Sequence, residues 1–379
     1  MDFEFNEEQL SWKNKAKEFA EKEVAPVIDE IEKKGEFPTE LWKKLMQEGM
    51  TGVPIPAEYG GAGADHISYV NVIEELSKVS ASLGGSLSVH TTLCTQVILN
   101  FGNDEQKQKY LPALAKGEVI GAFALTEPNA GTDVASMEST AVLEGDNYVL
   151  NGTKYFITHA TIAGVFIVVA ITDPEKGVKG MSAFIVENDT PGLKIGKIFD
   201  KMGIKSTEHA EVIMENCEIP KENLLGNEGD GFKIAMITLD SGRIGIAAQA
   251  LGLAEGARDA SVKYANERIQ FGKPISKLQA IQWMIAEMEV KICSAKWLTY
   301  NAAFLEDAGK RFSKEAAMAK LAASTTAVDV TRLAIQVHGG YGYMTDLPLE
   351  RFYRDAKITE IYEGTSEVQK MVIARSALG

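Results

Sequence analysis

The residue whose type and setting best suit chemistry is Glu363, in the run ITEIYEGTSEVQ from Ile358 to Gln369. It sits among Ile361, Tyr362 and Gly364, so its carboxylate is expected in an apolar pocket, where lost hydration favours the protonated form and makes the anion a usable base. A helix expected from Ser366, with Ser366 and Gln369 as a capping box, acts the other way and favours the anion. On the residues alone two readings stand: a proton-abstracting carboxylate, or a surface glutamate ahead of a helix. Three further loops have odd compositions for connectors. ALTEPNAGTD, Ala124 to Asp133, offers the N–H groups of Gly131 and Thr132 to an anion or a polar ring edge, or is a long loop at a domain boundary. YFITHA, Tyr155 to Ala160, carries the Thr158 hydroxyl on an aromatic strand end that reads equally as core. GGYGY, Gly339 to Tyr343, is first of all a helix C-cap, with Gln336 ahead of it.

Other chemistries lack their residues. Neither Gly61-Ala62-Gly63 nor Gly340-Tyr341-Gly342 is completed to the GxGxxG of a dinucleotide fold, and the phosphate loop GxxxxGK and the zinc motif HExxH do not occur. The histidines His66, His90, His159, His209 and His338 are scattered without ligand spacing, so no metal is expected.

The elements that must position these loops fall into three segments of different period. From Asn6, with Gln9 three residues on, Leu10, Ala16, Phe19, Ala20 and Val24 follow helical spacing, which Pro26 disturbs. Pro38-Thr39 opens a second helix, another starts near His66, and Asn103 with Gln106 caps one ending near Lys116. After Gly121 the period is two, with strands at Tyr148–Leu150, Lys154–Ile157, Val165–Ala170 and Ser182–Val186. Asn151-Gly152 between the first two predicts a hairpin turn. The helical period returns at Phe232, most visibly in the seam Leu278, Ile281, Ile285, Met288, Ile292 and Ala295. Ser313 is expected to cap a later helix that Gly339-Gly340 ends. The expected fold is α+β and multidomain: an all-helical domain over 1–120, a mostly antiparallel β domain, barrel or sandwich, over 121–228, and a helical bundle over 229–379.

Composition narrows the class. The 379 residues carry 39 Lys plus Arg against 53 Asp plus Glu, a net charge of −14, which repels phosphate backbones and makes nucleic acid an unexpected partner. Cys94, Cys217 and Cys293 form no CxxC pair and read as reduced core thiols in a reducing compartment. The start MDFEFNEEQL lacks the basic and apolar stretches of a targeting peptide, and the most apolar run, Val165 to Ile171, is strand-sized. A soluble cytoplasmic protein with no membrane insertion is therefore expected.

Taken in order, LTEPNAGTD, DKMGIKSTE, LDSGRIGIAAQALG, ERIQFGKPI, QVHGGYGY and RDAKITEIYEGTSE resemble segments of the acyl-CoA dehydrogenase family along essentially the whole chain. The flavour is that of its short-chain, butyryl-CoA dehydrogenase-like branch. The resemblance implies FAD between the β domain and the bundle, and α,β-dehydrogenation of a short-chain or small branched or cyclic acyl-CoA to the trans-2,3-enoyl-CoA. Electrons would pass to an electron-transferring flavoprotein. The same site in reverse would be an enoyl-CoA reductase, an oxygen-using acyl-CoA oxidase is a further enzyme relative, and a flavin-bearing protein without dehydrogenation is the non-enzyme alternative.

By the same resemblance Glu363 matches the catalytic base. The alternative base position of the family is here Gly242, which cannot serve. Arg243, Asp240, Tyr362, Gly364 and Thr132 match the thioester and pantetheine path. Phe123, Leu125, Thr126, Gly131, Thr132, Phe156 and Thr158 match the flavin loop and strand end, with Thr158 beside flavin N5. Arg268, Gln270, Phe271, Gln336, Gly339 and Gly340 match positions that reach a neighbouring subunit's cofactor, with Thr365 and Glu367 near the diphosphate, which implies a homotetramer arranged as a dimer of dimers. His159-Ala160, where the family more often has Asn-Gly, and Asn129, where it often has Gly, depart from the pattern at the flavin edge.

Overall fold

The computed structural model of the chain describes residues 4–379, so the first three residues of the acidic start lie outside the described residues. The first segment is helical, as its caps dictate. Asn6 and Gln9 exchange both bonds of a capping box at the head of α1 (Glu7–Phe19). A π turn at Ala20–Val24 takes the chain toward Pro26 and into α2 (Ile28–Lys34). Then come α3 (Thr39–Gln47), α4 (His66–Ser77) and α5 (Ala81–His90), which runs through a second π turn, Thr91–Thr95, into α6 (Gln96–Phe101). Asn103 and Gln106 again form a capping box, at α7 (Asp104–Ala115). α5 is buried along its whole length, the mark of a helix enclosed on every side.

Eight strands follow: β1 (Gly121–Ala124), β2 (Thr140–Glu144), β3 (Asn147–Thr158), β4 (Val165–Ile171), β5 (Met181–Glu187), β6 (Leu193–Ile198), β7 (His209–Pro220) and β8 (Leu224–Leu225). They pair in the order β6-β7-β3-β2-β4-β5-β8, with β1 parallel to β4. β2 meets β4 through the pair Thr140↔Ile171, which joins the strands into one mostly antiparallel sheet. Tyr148, Leu150, Ile157, Phe166, Val168, Phe184, Val212 and Met214, from β3, β4, β5 and β7, share one buried cluster. The hairpin expected at Asn151-Gly152 is not there. β3 runs unbroken through these residues, which form a bulge against β7 where Asn151 Oδ1 accepts the Asn216 N–H at 2.8 Å. The turn lies one step earlier, at Gly145-Asp146 between Glu144 and Asn147, with Gly145 supplying the positive φ of 65°.

The last segment holds α8 (Gly231–Glu267), a short ribbon of β9 (Ile269–Gln270) and β10 (Lys273–Pro274), then α9 (Gln279–Asp307), α10 (Ser313–His338), α11 (Leu349–Ile358) and α12 (Ser366–Leu378). The predicted seam faces inward on α9, with Met288, Ile292 and Ala295 buried. Cys94 and Cys217 are buried as expected, but Cys293 is exposed, because it falls on the outer face of α9, beside the seam residue Ile292. Ser313 does not cap α10: its hydroxyl is given to Asp240 instead. Among the described residues no helix is long and apolar enough to cross a membrane.

The two helical segments share one core. Val70, Ile73 and Leu87 from the first pack with Ile244, Leu251 and Ala254 of α8 and with Ile292 and Ala323 beyond it. A buried polar knot crosses the same boundary: Glu74 of α4 accepts from Lys13, Lys296 and Tyr300. Close approach of α4 to α8 depends on Gly252, where a Cβ would lie 2.2 Å from the Glu74 carbonyl oxygen and 2.7 Å from Ser77 Cβ. Gly252→Ala is therefore expected to force the helices apart and cost roughly 1–3 kcal/mol, read as a fall of several degrees in thermal midpoint with flavin content followed alongside.

Candidate active site

The loop carrying Glu363 is set by the end of α11. Ile361 and Tyr362 donate their N–H groups to the Ile358 carbonyl, and the chain then turns through two left-handed residues, Glu363 (φ 53°) and Gly364 (φ 95°). A non-glycine residue in this region is strained and persists only where its surroundings hold it. Here the carbonyl oxygens are held. Gly364 O accepts from Lys320 Nζ at 2.7 Å and Gln369 Nε2 at 2.8 Å, and Glu363 O accepts from Gln369 Nε2 at 3.3 Å and Arg243 Nε at 3.4 Å. The capping box expected from Ser366 and Gln369 is replaced: Thr365 is the cap, accepting from Val368 N, and the Gln369 side chain is spent on the Glu363 loop.

The Glu363 residue is half-buried, but both carboxylate oxygens are sealed from solvent and have no hydrogen-bond partner. They lie on α8 at Gly242, where a Cβ would stand 2.1 Å from Glu363 Oε2 and 2.8 Å from Leu93 Cδ2. Leu93 reaches this point from the π turn after α5, an insertion of the kind found at functional sites. Burial lifts the Glu363 carboxyl to about 7, against the pull of the Lys320 ammonium and the Arg243 guanidinium. Arg243 is paired with Asp240 at 2.6 Å, so it is at once a helix ion pair and a donor to the Glu363 loop. Both border a cleft of about 800 Å³ that is also lined by Arg311, Lys314, Glu315 and Arg375. Behind Tyr362, its hydroxyl donates to Gln249 Oε1, and buried Gln249 Nε2 donates to Ala81 O at 2.7 Å. Glu363, Gly364, Tyr362, Arg243 and Asp240 are thus brought together. Thr132 is not part of this contact set; it is exposed on the 124–133 loop.

That loop is pinned to the sheet. Thr126 O accepts the Tyr155 N–H at 2.8 Å, and the buried pair Glu127–Lys154 at 2.7 Å ties its start to β3. Glu127 also accepts from Glu138 N and Ser139 N. Phe123 and Leu125 are buried beneath it, whereas Phe156, with φ 58°, is 57% exposed and packs against Phe199. The Thr158 hydroxyl lies 3.1 Å from His209 Nε2. Burial pushes His209 down to about 3, so the ring is neutral, and its Nδ1 faces the Thr207 carbonyl at 2.8 Å. A carbonyl can only accept, so Nδ1 carries the proton and Thr158 donates to Nε2. His159, one of the departures, turns inward: its ring meets Phe37 and Trp42 and its Nδ1 faces Gly121 O at 3.1 Å.

A third group stands apart. Arg268 lies over the Tyr341 ring at 5.4 Å, which gathers it with Gly339 and Gly340, while Gln270, Gln336 and Phe271 are exposed, the last by 88%. Thr365 and Glu367 border a separate cleft of about 560 Å³ with Lys357, Ser366 and Lys370. Lys320 and Gln249 were not singled out by motif, and Gln369 only as a helix cap. For Lys320 a signal existed, a lysine inside the otherwise small and apolar run AAMAKLAA.

An eight-stranded sheet set in the chain between two helical segments that share a core, with a buried carboxylate held against α8, is the helix–sheet–helix architecture that the sequence leads one to expect. Sequence comparison agrees: the family models for the acyl-CoA dehydrogenase N-terminal, middle and C-terminal domains match residues 6–118, 122–217 and 229–378, and the chain belongs to that FAD-dependent family. It is 55% identical over 380 residues to an acryloyl-CoA reductase (NADH) of Anaerotignum propionicum, covering 100% of this chain and 96% of that protein. It is 54% identical over 374 residues to a short-chain specific acyl-CoA dehydrogenase of Clostridium acetobutylicum, covering 99% of each. Among solved structures, butyryl-CoA dehydrogenase from Megasphaera elsdenii superposes with a TM-score of 0.99 at 46% identity, covering 100% of both chains.

The raised carboxyl makes a prediction about stability. Because its native value of about 7 lies above the ordinary carboxylate range, the native state holds a proton that the unfolded chain releases, and stability contributed by this group falls as pH rises through that window. Glu363→Gln is expected to match the native protein near pH 4 and to exceed it above pH 8 by on the order of 3 kcal/mol, measured as the difference in unfolding midpoints at the two pH values and equal flavin load.

Proposed function

We propose that the protein is an acyl-CoA dehydrogenase that converts a short or small branched or cyclic acyl-CoA into its trans-2,3-enoyl-CoA, with Glu363 as the base and an electron-transferring flavoprotein as electron acceptor. The observation that carries the reading is the Glu363 carboxylate, buried and without a donor on either oxygen, in a loop whose carbonyl is held by Arg243, itself a lining residue of the cleft. Arg311, Lys314 and Arg375 suit the phosphates of a coenzyme A thioester entering there. Gln249, wedged between Ala81 and Tyr362, supports a short acyl group, since it fills space behind the reacting end.

In this mechanism Glu363 removes the α-proton of the thioester, and the β-hydrogen leaves with its electron pair. The Glu363 N–H has no acceptor among the described residues and is available to the thioester oxygen, where negative charge develops. Arg243, held by Asp240, keeps the loop in place from the cleft side. FAD, when bound, supplies the acceptor for the departing hydride. The residues fit it on two observations: the Ser366 hydroxyl is buried without a partner at the head of α12, and Gly131, Gly339 and Gly340 have open space where a side chain would project. Phe123, Leu125, Thr126, Gly131, Thr132, Phe156 and Thr158 would hold the ring end, and Thr365 and Glu367 the diphosphate. Arg268, Gln270, Phe271, Gln336, Gly339 and Gly340 would serve a neighbouring copy's cofactor. Their exposure supports this, as do Trp283, Val290 and Phe304, apolar and exposed on one face of α9 at whole heptad steps.

One observation favours the opposite direction as a second reading. A carboxyl at about 7 is present as acid and base in similar amounts at neutral pH, so Glu363 could equally deliver a proton in enoyl-CoA reduction, the activity named for the Anaerotignum propionicum relative. Anaerobic titration of the yellow protein with acyl-CoA thioesters of increasing length tests the first reading. Loss of flavin absorbance is expected with short chains and not with long ones, and Glu363→Gln should keep its colour and bind thioester while bleaching on the order of a hundredfold more slowly or worse. Bleaching of that variant at the native rate would refute the base. Reoxidation by enoyl-CoA, by an electron-transferring flavoprotein or by air with peroxide release separates reductase, dehydrogenase and oxidase.

The assembly is expected to be a homotetramer in which cofactor occupancy depends on protomer concentration, as a site built from two chains requires. Light scattering with flavin absorbance over a dilution series should show both falling together. A monomer with stoichiometric flavin would exclude the shared site.

A further inference from the structure

Lys320 is a buried cation beside Glu363 that the mechanism above does not use. It lies on α10 with none of its surface exposed, among Ala316, Ala317, Ala319 and Ala323, all buried as well. An ammonium taken out of water loses several kcal/mol unless its environment restores them, and a lysine kept for stability is normally set against a carboxylate. Among the described residues Lys320 has no carboxylate oxygen at ion-pair distance. Its hydrogen bond, at 2.7 Å, is to the carbonyl of Gly364, the residue after Glu363. Gln369 donates to the same oxygen at 2.8 Å, and the two residues between these anchors and Arg243, Glu363 and Gly364, are the left-handed pair. The ammonium is therefore held against the main chain of Glu363 while the carboxylate keeps its oxygens free.

We propose that Lys320 is the positioning residue of the Glu363 base: its ammonium fixes the left-handed turn through the Gly364 carbonyl and places a positive charge beside the sealed carboxylate without touching it. The inference rests on the reading of Glu363 as the base. The charged and titratable groups that face the pair are Arg243 from α8, Glu360, Tyr362 and Glu367 from the loop and the head of α12, and Tyr69 from α4. Burial draws Lys320 itself down to about 8, with Glu363 opposing, so the ammonium form is retained at neutral pH. A hydrogen bond to a carbonyl can be given by a neutral donor such as Gln369. Charge at this position cannot, and the two roles therefore separate experimentally.

The experiment compares the pH dependence of anaerobic flavin bleaching by butyryl-CoA in the native holoenzyme, Lys320→Met, Lys320→Arg and Gln369→Leu. Loss of an opposite charge beside a buried carboxyl shifts it up by about one unit or more, so Lys320→Met should move the acid limb upward by about that amount and lower the rate about tenfold at a pH well below the native midpoint. Lys320→Arg should restore the limb, and Gln369→Leu, which removes a donor but no charge, should leave it in place. An infrared titration of the protonated carboxyl band, assigned by its absence in Glu363→Gln, should show the same displacement without turnover. A limb and band in Lys320→Met that coincide with the native ones overturn the proposal, as does an equal shift in Gln369→Leu. Should Lys320→Met fail to hold flavin, Lys320→Gln is read in its place with the same two outcomes. If Glu363→Gln bleaches at the native rate the base reading fails, while the infrared midpoint still decides whether Lys320 sets the acidity of Glu363.

Discussion

With Glu363 read as the base, the site is governed by one requirement: a carboxylate must be buried, must remain able to ionise, and must not be given a donor that would occupy its lone pairs. A carboxylate with a direct partner on each oxygen would be easy to bury and useless as a base, because the stabilised anion no longer seeks a proton. In this protein the compensation is moved off the carboxylate and onto the main chain behind it. Lys320, Gln369 and Arg243 all donate to the carbonyls of Glu363 and Gly364, and the side chain is left against Gly242, where any larger residue would collide with it. The left-handed backbone at Glu363 is the strain that this arrangement sustains.

The scaffold follows from that need. A sealed site requires rigid walls on several sides, and the walls come from distant parts of the chain: the π turn after α5 supplies Leu93, α8 supplies Gly242 and Arg243, α10 supplies Lys320, and the α11–α12 loop supplies the carboxylate. The single core shared by the two helical segments is what keeps those walls in register, and the β domain inserted between them in the chain presents its own loop, pinned by Glu127 and Lys154.

What could be read from the sequence was what is local. The boxes at Asn6 and Asn103, the inward stripe of α9 and the apolar run of β4 are each decided within a few residues, and the structure has them where periodicity places them. For Glu363 the sequence left a buried and a surface carboxylate both open; its burial comes from Leu93 and Gly242, far along the chain, while its neighbour Ile361 is exposed. The misreadings share an opposite cause. Asn151-Gly152 has the composition of a turn, but the Asn216 N–H on β7 donates to Asn151 Oδ1 and holds the pair as a bulge. Ser313 and Gln369 have the residue types of caps, but Asp240 and the Glu363 carbonyl lie within reach in the folded chain and take their hydrogen bonds. Lys320 stood out only as a lysine in a small and apolar run; its partner was not legible, because Gly364 O is a main-chain atom, which no residue type announces.

α8 carries an evolutionary constraint of its own. It is one unbroken helix of 37 residues, about 55 Å long at 1.5 Å per residue, and along it lie Gly242 against the carboxylate, Gly252 against α4 and, just past its end, Arg268 over Tyr341. Substitutions along such a rod are felt one at a time. A single inserted or deleted residue would instead rotate everything beyond it by about 100°, so that a chain aligned on Gly242 would present the wrong face to α4 and carry Arg268 away from Tyr341. The helix thus acts as a ruler within this chain: side chains between the marks can change one by one, but the spacing of the marks is fixed by the number of residues between them.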